Sequence, residues 1–550
     1  MTRSIARVLV DQLVLHGVDT AFCVPGESYI AVLDALRDAP IRLISTRHEA
    51  AAANMAEAYG KLTGKPGICL VTRGPGATHA SVGLHTAFQD STPLILLVGQ
   101  VPRRMLGREA FQELDYTRAF TGLVKWAAQP ERGERVPELV ARAFSLAASG
   151  RPGPVVLALP EDLLVEDVDV PDATRYRVAA PAPASRDLEV LRALLAASER
   201  PLAIVGEGGW SADAARDILA FCEANELAVA TSFRCQDYVD NRSRVYAGHL
   251  TIGKDRNLAR RVREADLILA VGGRLGEIAT SGYTLLDVPR PRQTLVHVHP
   301  SPDELGVVYE TDLPIVSALP QFAAAVSRLE PIVSPSWSDW TAAAHADYLE
   351  NLVHRPLPGD VDMGEVMAIL REHLPEDAIF TCGAGNFTVW AHRFYEFSRY
   401  GTQLAPRSGA MGYGLPAALA AKVVHPDRDV VCLAGDGDFL MTGQELATAV
   451  QFELPIVVLV VNNGMYGTIR MHQERHFPGR VVGTDLLNPD FVGYAESFGA
   501  HGARVERTED FPEALEQALR AGRPALVELV VDREAITPRA TLTEIREGVA

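Results

Sequence analysis

Short apolar runs recur along the chain, each closed by Gly, Pro or a polar pair and followed by a helical pattern. GICLVT (67–72), PLILLVGQV (93–101) and PVVLALP (154–160) form a first group. PLAIVGEG (201–208), LAVATS (227–232), DLILAVGG (266–273) and TLVHVHPS (294–301) form a second. DAIFTCGAG (377–385), DVVCLAGDG (429–437), PIVVLVVNN (455–463) and ALVELVVD (525–532) form a third. Unbroken apolar strands alternating with helices predict parallel sheets covered on both faces. Between the groups, PDATRYRVAAPAPASRD (171–187) and PIVSPSWSDW (331–340) are rich in Pro with Ala or Ser and read as linkers. The pattern predicts an α/β protein of three doubly wound parallel-sheet domains, at 1–170, 185–330 and 355–550.

Composition narrows the class. The chain has 550 residues, 47% hydrophobic and 22% charged, as expected of a globular protein with several cores. Its net charge of −18, with no basic stripe, argues against a nucleic-acid partner. The N-terminal MTRSIARVLVDQLVLHGVDTAF has an apolar run, but Asp11, Gln12 and His16 interrupt it with the spacing of an amphipathic helix. No apolar run is long enough to span a bilayer. The six cysteines are scattered, without a CxxC, and read as buried free thiols of a reducing cytoplasm.

Candidate chemistry begins at VCLAGDGDFLMTGQELATAVQFELPIVVLVVNNG (431–464), where two strands end in Gly435-Asp436-Gly437 and Asn462-Asn463. Alone, the first reads as a turn and the second as a helix cap. A strand, a crossover helix and a second strand bring both ends to one edge of a parallel sheet. A carboxylate, a carboxamide oxygen and a main-chain carbonyl there suit a hard cation such as Mg²⁺. Upstream, STRHEAAAANMAEAYGKLTGK (45–65) opens an Ala-rich helix with His48-Glu49. Glu49 reads either as a carboxylate complementing the helix dipole or as a functional acid.

These segments resemble thiamine-diphosphate enzymes of the acetolactate synthase large-subunit type, with benzaldehyde lyase and 2-oxo acid decarboxylases as relatives. The resemblance covers essentially the whole chain. GDG and NN match the family's metal and diphosphate signature, which implies Asp436, Asn463 and the carbonyl of Met465 as metal ligands. RHE followed by small residues implies Glu49 as the acid that hydrogen-bonds N1′ of the aminopyrimidine and favours its imino tautomer. LVTRGPGATH (70–79) is similar to the segment lining the pyrimidine pocket, matching at Thr72, Pro75 and Gly76. PRSGAMGYGLPAALAAK (406–422) is similar to the segment whose methionine wedges the two cofactor rings, which implies Met411 and its neighbour Gly409. TCGAGNFTVWAHR (381–393) corresponds to the diphosphate cradle, Gly385, Asn386 and Phe387. Gly26, Gly435, Gly437, Asp438, Tyr466 and Gly467 complete the implied cofactor site.

GREAFQELD (107–115) resembles a segment bordering the active-site channel, so Gln112 reads either as a donor to an intermediate's oxygen or as a solvated residue. His79 stands where the family has asparagine and reads either as a satisfied helix histidine or as a contact of cofactor and substrate. Further departures are Arg73 for a small residue, Glu161 for a lysine, Ile278 for an arginine and His472 for a tryptophan. The last three remove two positive charges and an aromatic wall from the implied acceptor pocket, which predicts weaker binding of an acceptor carboxylate.

The expectation is thus an enzyme with thiamine diphosphate and Mg²⁺ that makes or breaks a C–C bond next to a carbonyl. Glu49, Gln112, His79 and His472 are its candidate catalytic residues. Acetolactate-synthase-like decarboxylation of a 2-oxo acid with transfer to an acceptor carbonyl leads. A simple 2-oxo acid decarboxylase, a lyase of 2-hydroxy ketones and a non-catalytic cofactor-binding homologue stay open. FAD in the middle domain is the less favoured alternative to an empty one. A homodimer at minimum, with a homotetramer expected, follows from the resemblance.

Overall fold

The computed structural model describes residues 2–253 and 255–549. Strands β1 (Thr20–Cys23), β2 (Arg42–Ser45), β3 (Gly67–Val71), β4 (Leu94–Gln100), β5 (Trp126–Ala128) and β6 (Pro154–Pro160) form a first sheet. Its order is β2-β1-β3-β4-β6-β5 and every pairing is parallel. The inner strands β3, β4 and β6 are buried at every residue, which is why their runs are apolar without alternation. Helices α1 (Ile5–Leu15), α2 (Glu49–Thr63), α3 (Gly74–Asp90) and α4 (Val136–Ala148) cover it. The interrupted apolar run at the N-terminus is α1, capped by the Ser4 side chain on the Arg7 N–H. Its Val8, Leu9 and Leu13 share one core with Ile95, Leu97 and Phe144. Helices α2 and α3 approach so closely that a Cβ at Gly83 would lie 2.4 Å from that of Ala53. The small residues of both segments serve this contact.

The second sheet comprises β7 (Pro201–Val205), β8 (Ala228–Thr231), β9 (Tyr246–His249), β10 (Leu267–Val271), β11 (Thr294–His299) and β12 (Leu313–Val316). The order is β9-β8-β7-β10-β11-β12, again all parallel. Its core extends beyond residue 330. Trp337 is buried with its indole N–H on the Asn225 carbonyl (3.0 Å), and α5 (Ser338–Asn351) sets Tyr348 edge-on against Tyr246. Most of the presumed linker 331–340 therefore belongs to this domain, because a tryptophan in a Pro/Ser-rich stretch is still an apolar anchor.

The third sheet comprises β13 (Ile379–Cys382), β14 (Gln403–Leu404), β15 (Val430–Gly435), β16 (Val457–Asn462), β17 (His501–Val505) and β18 (Ala525–Val530). Its parallel order is β14-β13-β15-β16-β18-β17. The second and third sheets belong to one compact unit. Asp237 stitches them, accepting the N–H groups of Gly401, Thr402 and Gln403 at 2.8, 3.1 and 3.2 Å. Burial pushes the Asp237 carboxyl up to about 6, against those hydrogen bonds.

The first sheet belongs to another unit, which also takes in residues 406–426 and 442–454. These carry helices α6 (Gly414–Val424) and α7 (Leu446–Gln451), next to the third-sheet strands in sequence. Helix α6 instead packs along α2. A buried polar cluster fixes that contact: Glu57 accepts from Tyr413 (2.6 Å) and Thr92 (2.7 Å), and lies 3.2 Å from Lys61, which also binds Asp90. Burial holds the Glu57 carboxyl above its usual range, with Lys61 opposing the shift. All six cysteines are buried and none forms a disulfide, and burial pushes the Cys23 thiol up to about 12. Among the described residues no helix is long and apolar enough to cross a membrane.

Tyr413→Phe leaves Glu57 buried without one of its donors. The expected loss is about 1–3 kcal/mol of stability, read as a lower thermal midpoint of the purified protein.

Candidate functional site

Within the first unit, the C-terminal ends of the parallel strands gather residues far apart in sequence. After β2, the Arg47 N–H lies 3.1 Å from each oxygen of the buried Glu445 carboxylate, which fixes the turn into α2. His48 then takes an extended conformation and its Nδ1 accepts the Ala50 N–H at 3.1 Å, acting as the helix cap. This places Glu49 in the first turn, where the helix dipole favours a carboxylate. Its side chain is only 12% exposed, against 52% for His79, whose Nδ1 lies 2.9 Å from Glu49 Oε2. The His48 and His79 rings stack at 4.6 Å. Burial lowers the His48 pKa, His79 adds to the shift and Glu49 opposes it.

On the other side of Glu49, β3 runs into the turn Thr72–Gly76. A Cβ at Gly76 would lie 3.0 Å from Thr72 Cγ2 and 3.3 Å from Glu49 Oε1, so glycine keeps a close approach open beside the carboxylate. Thr72 in turn meets Gly26 and shares a 2.9 Å hydrogen bond with Ser28. Gln112 has a φ of 64°, and its carbonyl accepts the Gly74 N–H at 3.0 Å. Its backbone thus rests on the turn. Pro75 is exposed in the first turn of α3. Arg73, buried beneath the same turn, forms an ion pair with Glu161 at the end of β6. Two of the departures noted in the sequence are therefore partners.

Within the second unit, the ends of β13, β15 and β16 build a separate polar cluster. Asp436 is 3% exposed. It accepts the Gly437 N–H on one oxygen (2.9 Å), and the Gly464 N–H (2.9 Å) and Asn488 amide (2.8 Å) on the other. Burial raises its pKa against those donors, so the carboxylate would gain from a nearby cation. Asn463 Oδ1 accepts the Met465 N–H at 3.2 Å, and Arg533 holds the carbonyls of Asn463 and Gly464 at 3.2 and 2.7 Å. The Asn488 amide also reaches Asn462 Oδ1 (2.9 Å), while its own oxygen is buried without a partner. The Asp436 carboxylate, the Asn463 carboxamide and the unpartnered Asn488 amide oxygen, from three segments, give an all-oxygen set that fits a hard divalent cation.

Nearby, Asp438 Oδ1 accepts the Ala384 N–H at 3.1 Å, and the Phe387 ring lies against Gly385 and Gly435. Asn386 bridges Thr468 Oγ1 (2.9 Å) and the Ile536 carbonyl (3.1 Å). Helix α8 (Gly467–His476) begins at Tyr466 with no side chain capping its first N–H groups, an arrangement suited to phosphate oxygens.

The structure thus brings Gly26, Glu49, Thr72, Gly76 and His79 to one edge, with the Gln112 backbone beside them. It brings Gly385, Asn386, Phe387, Gly435, Asp436, Gly437, Asp438, Asn463, Met465, Tyr466 and Gly467 to another. Gly409 and Met411 lie in the loop before α6, in the first unit. His472 is exposed on α8, where its ring stacks on His476 at 6.1 Å. Sequence reading missed Glu445, Asn488 and Arg533. Each acts on a loop brought to it only by folding, and none stands in a recognisable motif.

Glu161→Ala leaves the Arg73 guanidinium buried without its counter-charge. Because Glu161 is one-third exposed, the expected loss is about 1–3 kcal/mol rather than the full cost of a broken buried pair. Chemical denaturation of single variants and of Arg73→Met/Glu161→Leu measures it, and the double variant recovers most of the loss.

Comparison with known proteins covers all three domains. Residues 3–119 match the family model described as thiamine pyrophosphate enzyme, N-terminal TPP binding domain. Residues 188–326 match the central domain of the same enzymes and residues 383–529 their C-terminal TPP binding domain. The acetolactate synthase large subunit of Parasynechococcus marenigrum is 34% identical over 97% of this chain and 88% of its own. A probable acetolactate synthase large subunit of Methanocaldococcus jannaschii is 30% identical over 99% and 95%. The acetolactate synthase isozyme 2 large subunit of Escherichia coli is 30% identical over 99% and 100%. Matched in all three domains and along nearly the full length of these relatives, the chain belongs to the thiamine pyrophosphate enzymes, as an acetolactate-synthase-like member.

Proposed function

We propose that this enzyme uses thiamine diphosphate and Mg²⁺ to decarboxylate a 2-oxo acid and transfer the remaining acyl unit to an acceptor carbonyl. The observation that carries the proposal is the buried Asp436 carboxylate, raised by desolvation and set against the oxygen-bearing 462–465 loop. Asp436, Asn463 and the Met465 carbonyl would hold the cation, and the uncapped start of α8 would face the diphosphate. When bound, the cofactor supplies an electron sink for the carbon left by decarboxylation. Glu49, shielded at the start of α2, would hold a proton at the aminopyrimidine nitrogen N1′. Gly76 keeps room beside it for a flat ring, and Met411 would supply a flexible apolar side chain to pack against the cofactor. We infer a homodimer at least, with a tetramer expected, acting in the cytoplasm.

One observation favours a neutral acceptor. The guanidinium of Arg73 is already matched by Glu161, so this lip of the site offers no uncompensated cation to an acceptor carboxylate. An aldehyde acceptor, simple protonation after decarboxylation, or cleavage of a 2-hydroxy ketone is consistent with that pairing.

The middle domain does not fit a flavin dinucleotide. At the switch point between β7 and β10, where a dinucleotide's diphosphate would approach, the protein places its own carboxylate. Glu207 accepts the Arg274 backbone N–H at 2.9 Å and its guanidinium at 2.7 Å. We infer an empty middle domain, and the purified protein is expected to show no flavin absorbance.

The enzyme is tested by incubation with thiamine diphosphate, Mg²⁺ and a panel of 2-oxo acids, aldehydes and 2-hydroxy ketones, with products identified by mass spectrometry. Absence of CO₂ release, ligation and cleavage across the panel would overturn the proposal. Glu49→Gln is expected to lower kcat by about 10²–10⁴-fold while the cofactor still binds. Asp436→Ala is expected to abolish Mg²⁺-dependent cofactor binding, measured by calorimetry.

A further inference from the structure

His79 is the one described departure from the relatives that touches Glu49 directly. It stands on the second turn of α3 with Nδ1 2.9 Å from Glu49 Oε2, and it is half exposed where Glu49 is nearly covered. The other oxygen of Glu49 faces the Gly76 approach. The remaining titratable groups around Glu49 come from three elements: His48 at the start of α2, Tyr29 after β1, and Cys69 on β3. Tyr29 and Cys69 are buried, with pKa values driven upward by desolvation. The Tyr29 hydroxyl is also spent on the Val24 carbonyl at 2.5 Å. His48 has committed Nδ1 to the Ala50 N–H, so its neutral ring keeps its single proton on Nε2. His79 has no such commitment to the backbone. Its two nitrogens can take a proton on one side of the ring and release one on the other.

We propose that His79 relays protons between Glu49 and bulk water. The inference rests on reading Glu49 as the acid that exchanges a proton with the cofactor's aminopyrimidine. In the outward direction the O–H bond at Glu49 Oε2 breaks and an N–H bond forms at His79 Nδ1. The N–H bond at Nε2 then breaks and its proton passes to water. Glu49 is left as a carboxylate and the imidazole in its other neutral tautomer. The inward direction reverses each step, so no co-reactant beyond water is required. The His48 ring, stacked at 4.6 Å, fixes the plane of His79. An asparagine at this position could hydrogen-bond Glu49 but could not pass a proton on, so the relay distinguishes this chain from the segment it resembles.

The test uses holoenzyme variants His79→Asn and His79→Gln, with His79→Ala for chemical rescue. Calorimetry on cofactor-free protein is expected to show thiamine diphosphate binding within about threefold of the parent. Exchange of the bound cofactor's C2 proton for deuterium is expected to slow by at least about tenfold. In His79→Ala, added imidazole is expected to restore exchange in proportion to its concentration. Unchanged exchange in both His79→Asn and His79→Gln, or slowed exchange that imidazole does not restore, would overturn the relay. So would loss of cofactor binding in folded variants, which would make His79 a binding contact instead. Glu49→Gln separates the two claims. If it leaves exchange unchanged, the reading of Glu49 fails; if it slows exchange while the His79 variants do not, only the relay fails.

Discussion

A carboxylate kept dry at the end of a parallel strand is costly unless donors or a cation compensate it, and both clusters of this protein are arranged around that constraint. Asp436 satisfies it with two backbone N–H groups and the amide of Asn488. Those bonds fix the 462–465 loop, and Arg533 fixes it again from the carbonyl side. Glu49 satisfies it differently, with a helix start and an imidazole. The Asp436 arrangement is not optimal for stability alone. Burial still raises the Asp436 pKa after its hydrogen bonds have opposed the shift. Such residual destabilisation is what a resident cation would relieve.

The same constraint accounts for the supporting charges. Glu445 is buried to hold the turn into α2, and Glu57 is buried to hold α6 along α2. Each is matched by hydroxyl, amide or ammonium donors. Glu207 occupies the crevice of the middle domain with Arg274 as its partner. The Arg73–Glu161 pair shows how a charge change at a pocket edge is tolerated: a cation introduced on one strand end is compensated on another. The consequence is a pair of strand ends that is polar without net charge.

Much of this was legible from residue order. Unbroken apolar runs gave the parallel sheets, because strands covered on both faces have no reason to alternate. Glycines beside Asp436 and Thr72 marked backbone turns at strand ends, where ligands approach α/β sheets. The limits were equally physical. Residues 406–426 follow β14 in the chain yet belong to the unit of the first sheet, since helix packing depends on complementary faces and not on sequence order. Trp337 looked like part of a linker because Pro and Ser surround it, although one buried indole was enough to extend the core.

Sequence alone determined the fold class and the cofactor family and singled out Glu49 and Asp436 as candidate acids, since these rest on local patterns: strand periodicity, turn glycines and short motifs. Tertiary structure decided which charges are partners. Arg73 and Glu161 are 88 residues apart, and Asp436 and Asn488 are 52. Nothing in their local sequence couples them. Hydrogen bonding and charge compensation act over a few ångströms of space, and only the fold sets those distances.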